Sequence, residues 1–314
     1  MLKRLRNTKL YSLVIYFLQT TRLKNTTATV YYVLKILIQK IIQFDIDVRA
    51  AAVAYNFTLA VFPTLIFLFS LIPYIPVENL DERILNLLSD VMPAGIYGEA
   101  KRTIVEIISK PRGGVLSLGF FFALYASTSG TMALMRAFNL TLTTQEKRGF
   151  VKARLIAVMM NFLLTMVLFV SIVVLIVGRL LVDMLFEGGM INPNFTFYIL
   201  QALTYFVIFA LFFLVISIVY YWGPSVHKKW KFINVGSITA SILTIIITNG
   251  FSYYLSNFAS YNRLYGTIGT FIALMVWLYL IALVLILGFE INASIDYAIN
   301  VPPDSEEEFL SVEN

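Results

Sequence analysis

Residues 264–293 read LYGTIGTFIALMVWLYLIALVLILGFEINA, and this stretch decides the fold. No Asp, Glu, Lys, Arg or His occurs in it before Glu290. A helix needs about 20 mainly apolar residues to cross the hydrocarbon core of a bilayer. The stretch is therefore predicted to be a transmembrane helix, with one carboxylate near its end.

The composition of the whole chain agrees with a membrane protein. Apolar residues make up 59% of it and charged residues 13%, and the mean hydropathy is +0.80. Such values are typical of a chain that crosses the bilayer several times. There is no cysteine and one histidine, His227, so thiol nucleophiles, disulfides and thiolate metal sites are excluded. We predict no catalytic residue, no metal site and no cofactor.

Five further apolar runs bring the prediction to an all-α polytopic integral membrane protein with six transmembrane helices. The predicted spans are approximately residues 50–74, 115–135, 155–178, 195–221, 232–258 and 264–293, within a transmembrane domain of residues 50–295. Residues 1–49 form a basic arm, and the spacing of its polar residues from Val30 to Phe44 predicts a helix that lies in the headgroup region. Residues 77–112 are predicted to hold short amphipathic helices, and residues 296–314 an acidic disordered tail.

The distribution of charge predicts the orientation. Six spans place both termini on one side, and most of the 24 Lys and Arg residues then fall on the side that holds the termini. The positive-inside rule makes this side cytoplasmic, so the topology is N-in and C-in. The expected partners are membrane lipids, through anionic headgroups at the cytoplasmic face. Basic residues do not alternate with stacking aromatics, which argues against a nucleic-acid partner.

Two charged residues fall near the predicted cytoplasmic boundary, Arg136 at the end of the second span and Glu290 near the end of the sixth. A lone charge inside the bilayer costs roughly 2.5–3.5 kcal/mol on insertion scales. The two residues could form an ion pair at the inner mouth of a cavity, or each could reach the headgroups independently. The sequence favours the second alternative by a small margin.

Uncharged polar residues and glycines in the spans could line a substrate path that ends near these charges. The candidates are Asn56, Ser127, Thr128, Asn249, Tyr265, Gly266 and Gly269. For Asn56, Ser127 and Thr128, hydrogen bonding and close packing between helices are the favoured roles, because small polar residues commonly hold membrane helices together. Gly236 and Ala240 have the same small-xxx-small spacing.

Several short motifs in a consistent order resemble the YihY/BrkB family of bacterial inner-membrane proteins, formerly labelled ribonuclease BN. The motifs are Arg49–Tyr55 (RAAAVAY), Phe62-Pro63, Ala137-Phe138-Asn139, Trp222-Gly223-Pro224, Tyr265-Gly266, Gly269, Trp277-Leu278-Tyr279 and Gly288–Ala293 (GFEINA). The resemblance covers about residues 41–295. Leu142 and Thr143 follow Asn139 where family patterns often place a tyrosine.

The resemblance implies a multi-pass protein of the bacterial inner membrane, with six helices and no agreed activity. Links between some relatives and the export of lipids imply a transporter or flippase of a lipid or lipid-like substrate, which is our leading hypothesis. The alternative is a non-transporting scaffold that recruits partners through its basic and acidic termini. A nuclease is disfavoured because the residues that would hold catalytic metals are missing.

Overall fold

The computed structural model describes residues 16–22, 29–71, 113–142, 148–187, 193–226, 230–257 and 260–301. Within these ranges the chain is helical apart from short connections and an isolated antiparallel bridge between Arg22 and Thr29. The long helices are α1 (Val30–Gln43), α2 (Ile46–Leu71), α3 (Gly113–Asn139), α4 (Phe150–Glu187), α5 (Pro193–Trp222), α6 (Val235–Asn257) and α7 (Ser260–Asn300). The predicted surface helices of residues 77–112, most of the basic arm before α1 and residues 302–314 of the predicted tail lie outside the described residues.

Four helices in the described ranges are long and apolar enough to cross a membrane. They are Phe150–Ser171 in α4, Tyr198–Trp222 in α5, Val235–Leu255 in α6 and Phe271–Asn300 in α7. An all-helical fold with candidate membrane spans is thus confirmed. The first two predicted spans coincide with α2 and α3, which have 26 and 27 residues and a length of about 40 Å. That these two helices also cross the membrane stays a prediction.

Helices α2 to α7 pack in a closed ring that follows the order of the chain. Each helix contacts the next, α7 returns to contact α2, and α3 also touches α7. Successive helices run in opposite directions. Gly236 at the beginning of α6 bonds to Asn292 near the end of α7, and corresponding contacts join the beginning of α2 to the end of α3 and the residues just before α4 to the end of α5. The beginnings of α2, α4 and α6 therefore meet the ends of α3, α5 and α7 at one end of the ring. We call this the Glu290 end.

Aromatic side chains fill the interior at the Glu290 end. The rings of Phe138 and Phe289 stack with their centroids 4.3 Å apart, and Tyr220 packs edge-on against Phe138 at 5.7 Å. The Tyr220 hydroxyl donates a hydrogen bond to the carbonyl oxygen of Leu285 at 2.7 Å, which satisfies its polar atom inside the core. One residue each from α3 and α5 is thereby fixed against α7.

Helix α1 docks on the last turns of α7. Thr29 caps its beginning by accepting a hydrogen bond from the Tyr32 amide, and the side chains of Val33 and Ile36 are buried beside Ala298. The helix predicted from Val30 to Phe44 is present; its position among lipid headgroups stays a prediction. Asp45 follows with a positive φ of 40°, a conformation that Asp tolerates better than most residues, and the chain turns there into α2.

The closest approach of α6 and α7 depends on two glycines. A Cβ atom on Gly236 would meet the Gly288 carbonyl oxygen and the Asn292 side chain, and one on Gly288 would lie 2.7 Å from the Ala240 Cβ. The small-xxx-small spacing of Gly236 and Ala240 thus corresponds to a real helix–helix contact, because only glycine leaves room for the facing backbone.

We predict different effects for the same substitution at two positions of α6. Gly236→Ala should destabilise the protein by about 1–3 kcal/mol through overpacking against α7. Gly250→Ala is the matched control: nothing lies within 4 Å of a Cβ there, so the change should be neutral or gain up to about 1 kcal/mol in helix propensity. Thermal unfolding in mild detergent measures both. Equal unfolding temperatures would contradict the close contact.

Candidate functional site

A buried ion pair joins three helices at the Glu290 end. Glu290 on α7 is fully buried, and Arg49 in the first turn of α2 is 6% exposed. Nη1 of Arg49 lies 2.8 Å from Oε1 of Glu290 and also donates a hydrogen bond to the Ala137 carbonyl oxygen at 2.9 Å. The carbonyl groups in the last turn of a helix have no hydrogen-bond donor within the helix. Arg49 supplies such a donor to the Ala137 carbonyl near the end of α3.

The partner of Glu290 is therefore Arg49 and not Arg136. Ala137 and Phe138 are buried, whereas Arg136 is exposed, because the side of α3 that presents the Ala137 carbonyl to Arg49 turns the neighbouring Arg136 outward. The hypothesis of an Arg136–Glu290 pair, which the sequence left as the less favoured alternative, is wrong for this reason. The alternative, in which Glu290 reaches the headgroups by itself, is also wrong for this residue because its side chain has no exposed surface.

The ion pair lies in a wider group of charges. Within the described part of the chain, Nε and Nη2 of Arg49 and Oε2 of Glu290 are buried without a hydrogen-bond partner. Lys40 of α1 lies close enough to be affected: burial lowers the pKa of its ammonium below the usual 10.5, while the carboxylates of Glu290 and Asp296 raise it in part. Desolvated, incompletely bonded charges are costly, so this end of the ring depends on keeping the pair together.

A second cluster of polar side chains lies at the interface of α3 and α4, which we call the α3–α4 seam. Four hydroxyl residues of α3, which we call the hydroxyl row, face Arg154 and Asn161 of α4; they are Ser127, Thr128, Ser129 and Thr131. The Thr131 hydroxyl donates to Oδ1 of Asn161 at 2.6 Å, and Nδ2 of Asn161 donates to the Ser127 hydroxyl at 2.7 Å. Nη1 of Arg154 donates to the hydroxyls of Thr128 and Ser129 at 3.0 and 3.1 Å. Ser127 and Thr128 thus take part in hydrogen bonds between helices.

Arg154 forms one side of a cavity of about 650 Å³ on the outer face of this seam. We call it the aromatic cavity; its lining residues are Phe121, Phe122, Leu124, Tyr125, Thr128, Arg154 and Val158. The guanidinium carbon of Arg154 lies 4.4 Å from the centroid of the Tyr125 ring, which suits a cation–π contact. Phe121, Phe122 and Tyr125 are about two-thirds exposed. Among its described lining residues, the cavity therefore combines a large apolar surface with one fixed cation.

A neighbouring cavity of about 530 Å³ lies where α3 ends and α4 begins. We call it the arginine cavity; it is lined by Met132, Met135, Arg136, Asn139, Leu140, Arg148, Phe150 and Ala153. Arg136, which has no role in the buried ion pair, belongs to this second site.

Comparison with known proteins identifies the family. A family model described as "Virulence factor BrkB" matches residues 37–310. The chain belongs to the BrkB family. A relative in Bacillus subtilis (strain 168), named "Putative ribonuclease-like protein YfkH", is 29% identical over 263 residues, which are 82% of this chain and 92% of that protein. No solved structure gives a significant match.

Other BrkB relatives carry the name "UPF0761 membrane protein". One from Vibrio campbellii is 25% identical over 82% of this chain and 80% of its own length. Another from Actinobacillus pleuropneumoniae is 23% identical over 80% of this chain and 89% of its own length. These names describe membrane proteins and indicate no catalytic activity; the ribonuclease-like wording in the name of YfkH is a mislabel. Among the described residues of this BrkB-family chain, no three His, Cys, Asp or Glu side chains are grouped as metal ligands.

Of the remaining candidate residues of this BrkB-family chain, those whose side chains the structure describes are not gathered into one path. The side-chain amides of Asn56 and Asn249 donate to carbonyls of their own helices, those of Ala52 and Ile245, and Asn249 is exposed. Tyr265, Gly266 and Gly269 lie in the first half of α7; Gly269 is buried, and the surroundings of the other two are outside the described side chains. The two cavities above lie between α3 and α4 instead.

The sequence alone does not identify three arginines that the structure places in the ion pair or the cavities of this BrkB-family chain. Arg49 reads as the last residue of a basic arm, and Arg148 and Arg154 read as members of a basic loop. The structure begins α4 at Phe150, so Arg154 lies inside a helix with an apolar surface. The available signal was the family motif that begins at Arg49 and the apolar neighbours of Arg154, Leu155 and Ile156.

We predict strong coupling between Arg49 and Glu290. Arg49→Met or Glu290→Met alone should lower the free energy of unfolding by about 3–5 kcal/mol, because each leaves a buried charge without its partner. The double variant should cost less than the two single variants added together. Chemical unfolding in mixed micelles measures all three.

Arg136→Met is the control for this cycle. It removes an arginine that is exposed, so its effect should stay within about 0.5 kcal/mol. Additive losses for Arg49 and Glu290, or a loss for Arg136 as large as theirs, would show that the buried pair is not the one described.

Proposed function

We propose that this protein is an inner-membrane transporter or flippase of a lipid or lipid-like substrate. The observation that supports this most directly is the aromatic cavity. Its described walls are mainly apolar, it opens to the outer face of the bundle, and the guanidinium of Arg154 lies within it. A lipid likewise combines a long apolar part, which such walls could contact, with a compact polar group, which the guanidinium could bind.

The chemistry of Arg154 suits the polar group of such a substrate. The hydroxyls of Thr128 and Ser129 and the ring of Tyr125 hold its guanidinium in place. A guanidinium so oriented presents several donors in one plane and binds phosphate or carboxylate oxygens in a bidentate manner. In an apolar setting this attraction is stronger than in water. The cavity is therefore suited to an amphiphile with an anionic group.

The proposal includes a topology. Six spans, with α2 and α3 among them, and both termini in the cytoplasm would place the Glu290 end at the cytoplasmic face. The basic residues around the α3–α4 connection support this orientation through the positive-inside rule. The aromatic cavity would then open to lipid within the cytoplasmic half of the bacterial inner membrane, where a substrate made in the cytoplasm enters the bilayer.

The hydroxyl row of α3 supports a route beyond Arg154. Ser127 and Thr131 exchange hydrogen bonds with Asn161 farther along α4. A polar headgroup could replace these bonds one at a time, so that no polar group loses all its partners while the helices separate. The buried Arg49–Glu290 pair would hold α2, α3 and α7 together while α4 moves.

Reconstitution into vesicles tests transport. In vesicles of phosphatidylcholine with a fluorescent phosphatidylglycerol, the protein should speed exchange of the labelled lipid between leaflets, measured by quenching of the outer leaflet with dithionite. Arg154→Gln should slow this exchange about tenfold, because it removes a charged hydrogen-bond donor worth about 1.5–3 kcal/mol.

Lys152→Gln is the matched control, since Lys152 is an exposed cation two residues away on the same helix and does not line the aromatic cavity. It should leave the exchange rate unchanged. If the wild-type protein exchanges lipid no faster than empty vesicles do, the transport proposal fails and a scaffold becomes the better hypothesis.

A further inference from the structure

The arginine cavity carries positive charge that the proposed transport step does not use. Arg136 projects from the last turn of α3 and Arg148 lies just before α4, and both line the same space. The charged residues among its described lining are these two arginines. Guanidinium groups match phosphate oxygens in geometry and charge, so a cavity lined by two of them suits an anionic ligand.

Hydrogen bonds to the end of α5 hold Arg148 in place. Its Nη2 donates to the Gly223 carbonyl oxygen at 2.8 Å, and its Nη1 approaches the Trp222 carbonyl oxygen at 3.4 Å. The amide oxygen of Asn139 accepts a hydrogen bond from the Ser225 backbone at 2.8 Å. Two polar side chains of the cavity are thus oriented before any ligand arrives, which lowers the entropic cost of binding.

Apart from Asn139, the rest of the described lining of the arginine cavity is apolar. Met132, Met135 and Leu140 contribute to its walls. Phe150 lines it as well, and the guanidinium of Arg154, in the aromatic cavity, lies 5.8 Å from the centroid of the Phe150 ring. Phe150 thus lies beside both the arginine cavity and the Arg154 guanidinium, and it adds to the apolar surface that a bound lipid would contact.

We propose that the arginine cavity binds the phosphate group of an anionic phospholipid, with Arg136 and Arg148 as its ligands and the apolar part of the lipid against the methionine and leucine side chains of the same cavity. Two guanidinium groups favour a headgroup with net negative charge over a zwitterionic one, whose ammonium they would repel. The choice of a lipid as the ligand rests on the proposed function. The binding itself does not require that the protein transports the lipid.

Native mass spectrometry of the delipidated full-length protein tests the site. Phosphatidylglycerol should bind at least about tenfold more tightly than phosphatidylcholine, and Arg136→Gln should remove most of this preference, as loss of one charged hydrogen bond costs about tenfold or more in affinity. Arg136→Gln is the decisive variant because this side chain is exposed and its loss leaves the fold intact. Arg148→Gln should act in the same direction, and Lys152→Gln should have no effect.

A parallel titration with inorganic phosphate separates the two sources of the anion. Weak binding of phosphate that phosphatidylglycerol displaces supports the lipid assignment. Binding of phosphate that depends on Arg136, without any preference for phosphatidylglycerol, overturns it in favour of a free anion. An unchanged lipid preference in Arg136→Gln and Arg148→Gln overturns the site itself.

The same proteins in the vesicle assay distinguish this inference from the proposed function. Arginine-dependent binding of phosphatidylglycerol without exchange between leaflets would leave the binding site standing and remove transport. Exchange that persists in a protein without the arginine-dependent preference would leave transport standing and remove this site.

Discussion

The burial of one carboxylate constrains the rest of this structure. Glu290 has no exposed surface, and a charge removed from water is stable only beside a partner. Arg49 supplies that partner from the beginning of α2 and uses the same nitrogen to bind the end of α3. The first, second and last helices of the ring are thereby joined at one point. The stacked rings of Phe138 and Phe289 pack beside this point, and α1 closes over the end of α7.

The orientation of α3 connects this pair to the candidate lipid site. With the Ala137 carbonyl directed at Arg49, the neighbouring Arg136 faces outward, into the arginine cavity. The Thr128 hydroxyl, farther along α3, meets Arg154 at the seam. The region of α2, α3 and α7 that the ion pair holds together thus lies next to the interface of α3 and α4, which contains the aromatic cavity and the arginine cavity. Such a division suits a protein in which one part stays fixed while another admits a substrate.

The sequence predicted the parts of the fold that depend on local pattern. Long apolar runs located α4 to α7, polar spacing located α1, and the spacing of Gly236 and Ala240 indicated a close helix contact. The partner of Glu290 could not be predicted in this way, because Arg49 lies 241 residues earlier and the pairing depends on ring closure and on the rotation of α3. The sequence places Arg154 in a basic loop, because hydropathy alone does not separate a charged first turn of a helix from the connection before it.

The rotation of α3 tests the central claim most directly, and the absence of cysteine from the chain makes it measurable. Arg136→Cys, Ala137→Cys and Phe138→Cys can each be introduced singly and treated with a thiol reagent in native membranes. The structure predicts fast labelling at position 136 and protection at 137 and 138, whose side chains are 4% and 0% exposed. Protection at 136 with labelling at 137 would mean that α3 turns Arg136 toward Glu290, and would contradict the account.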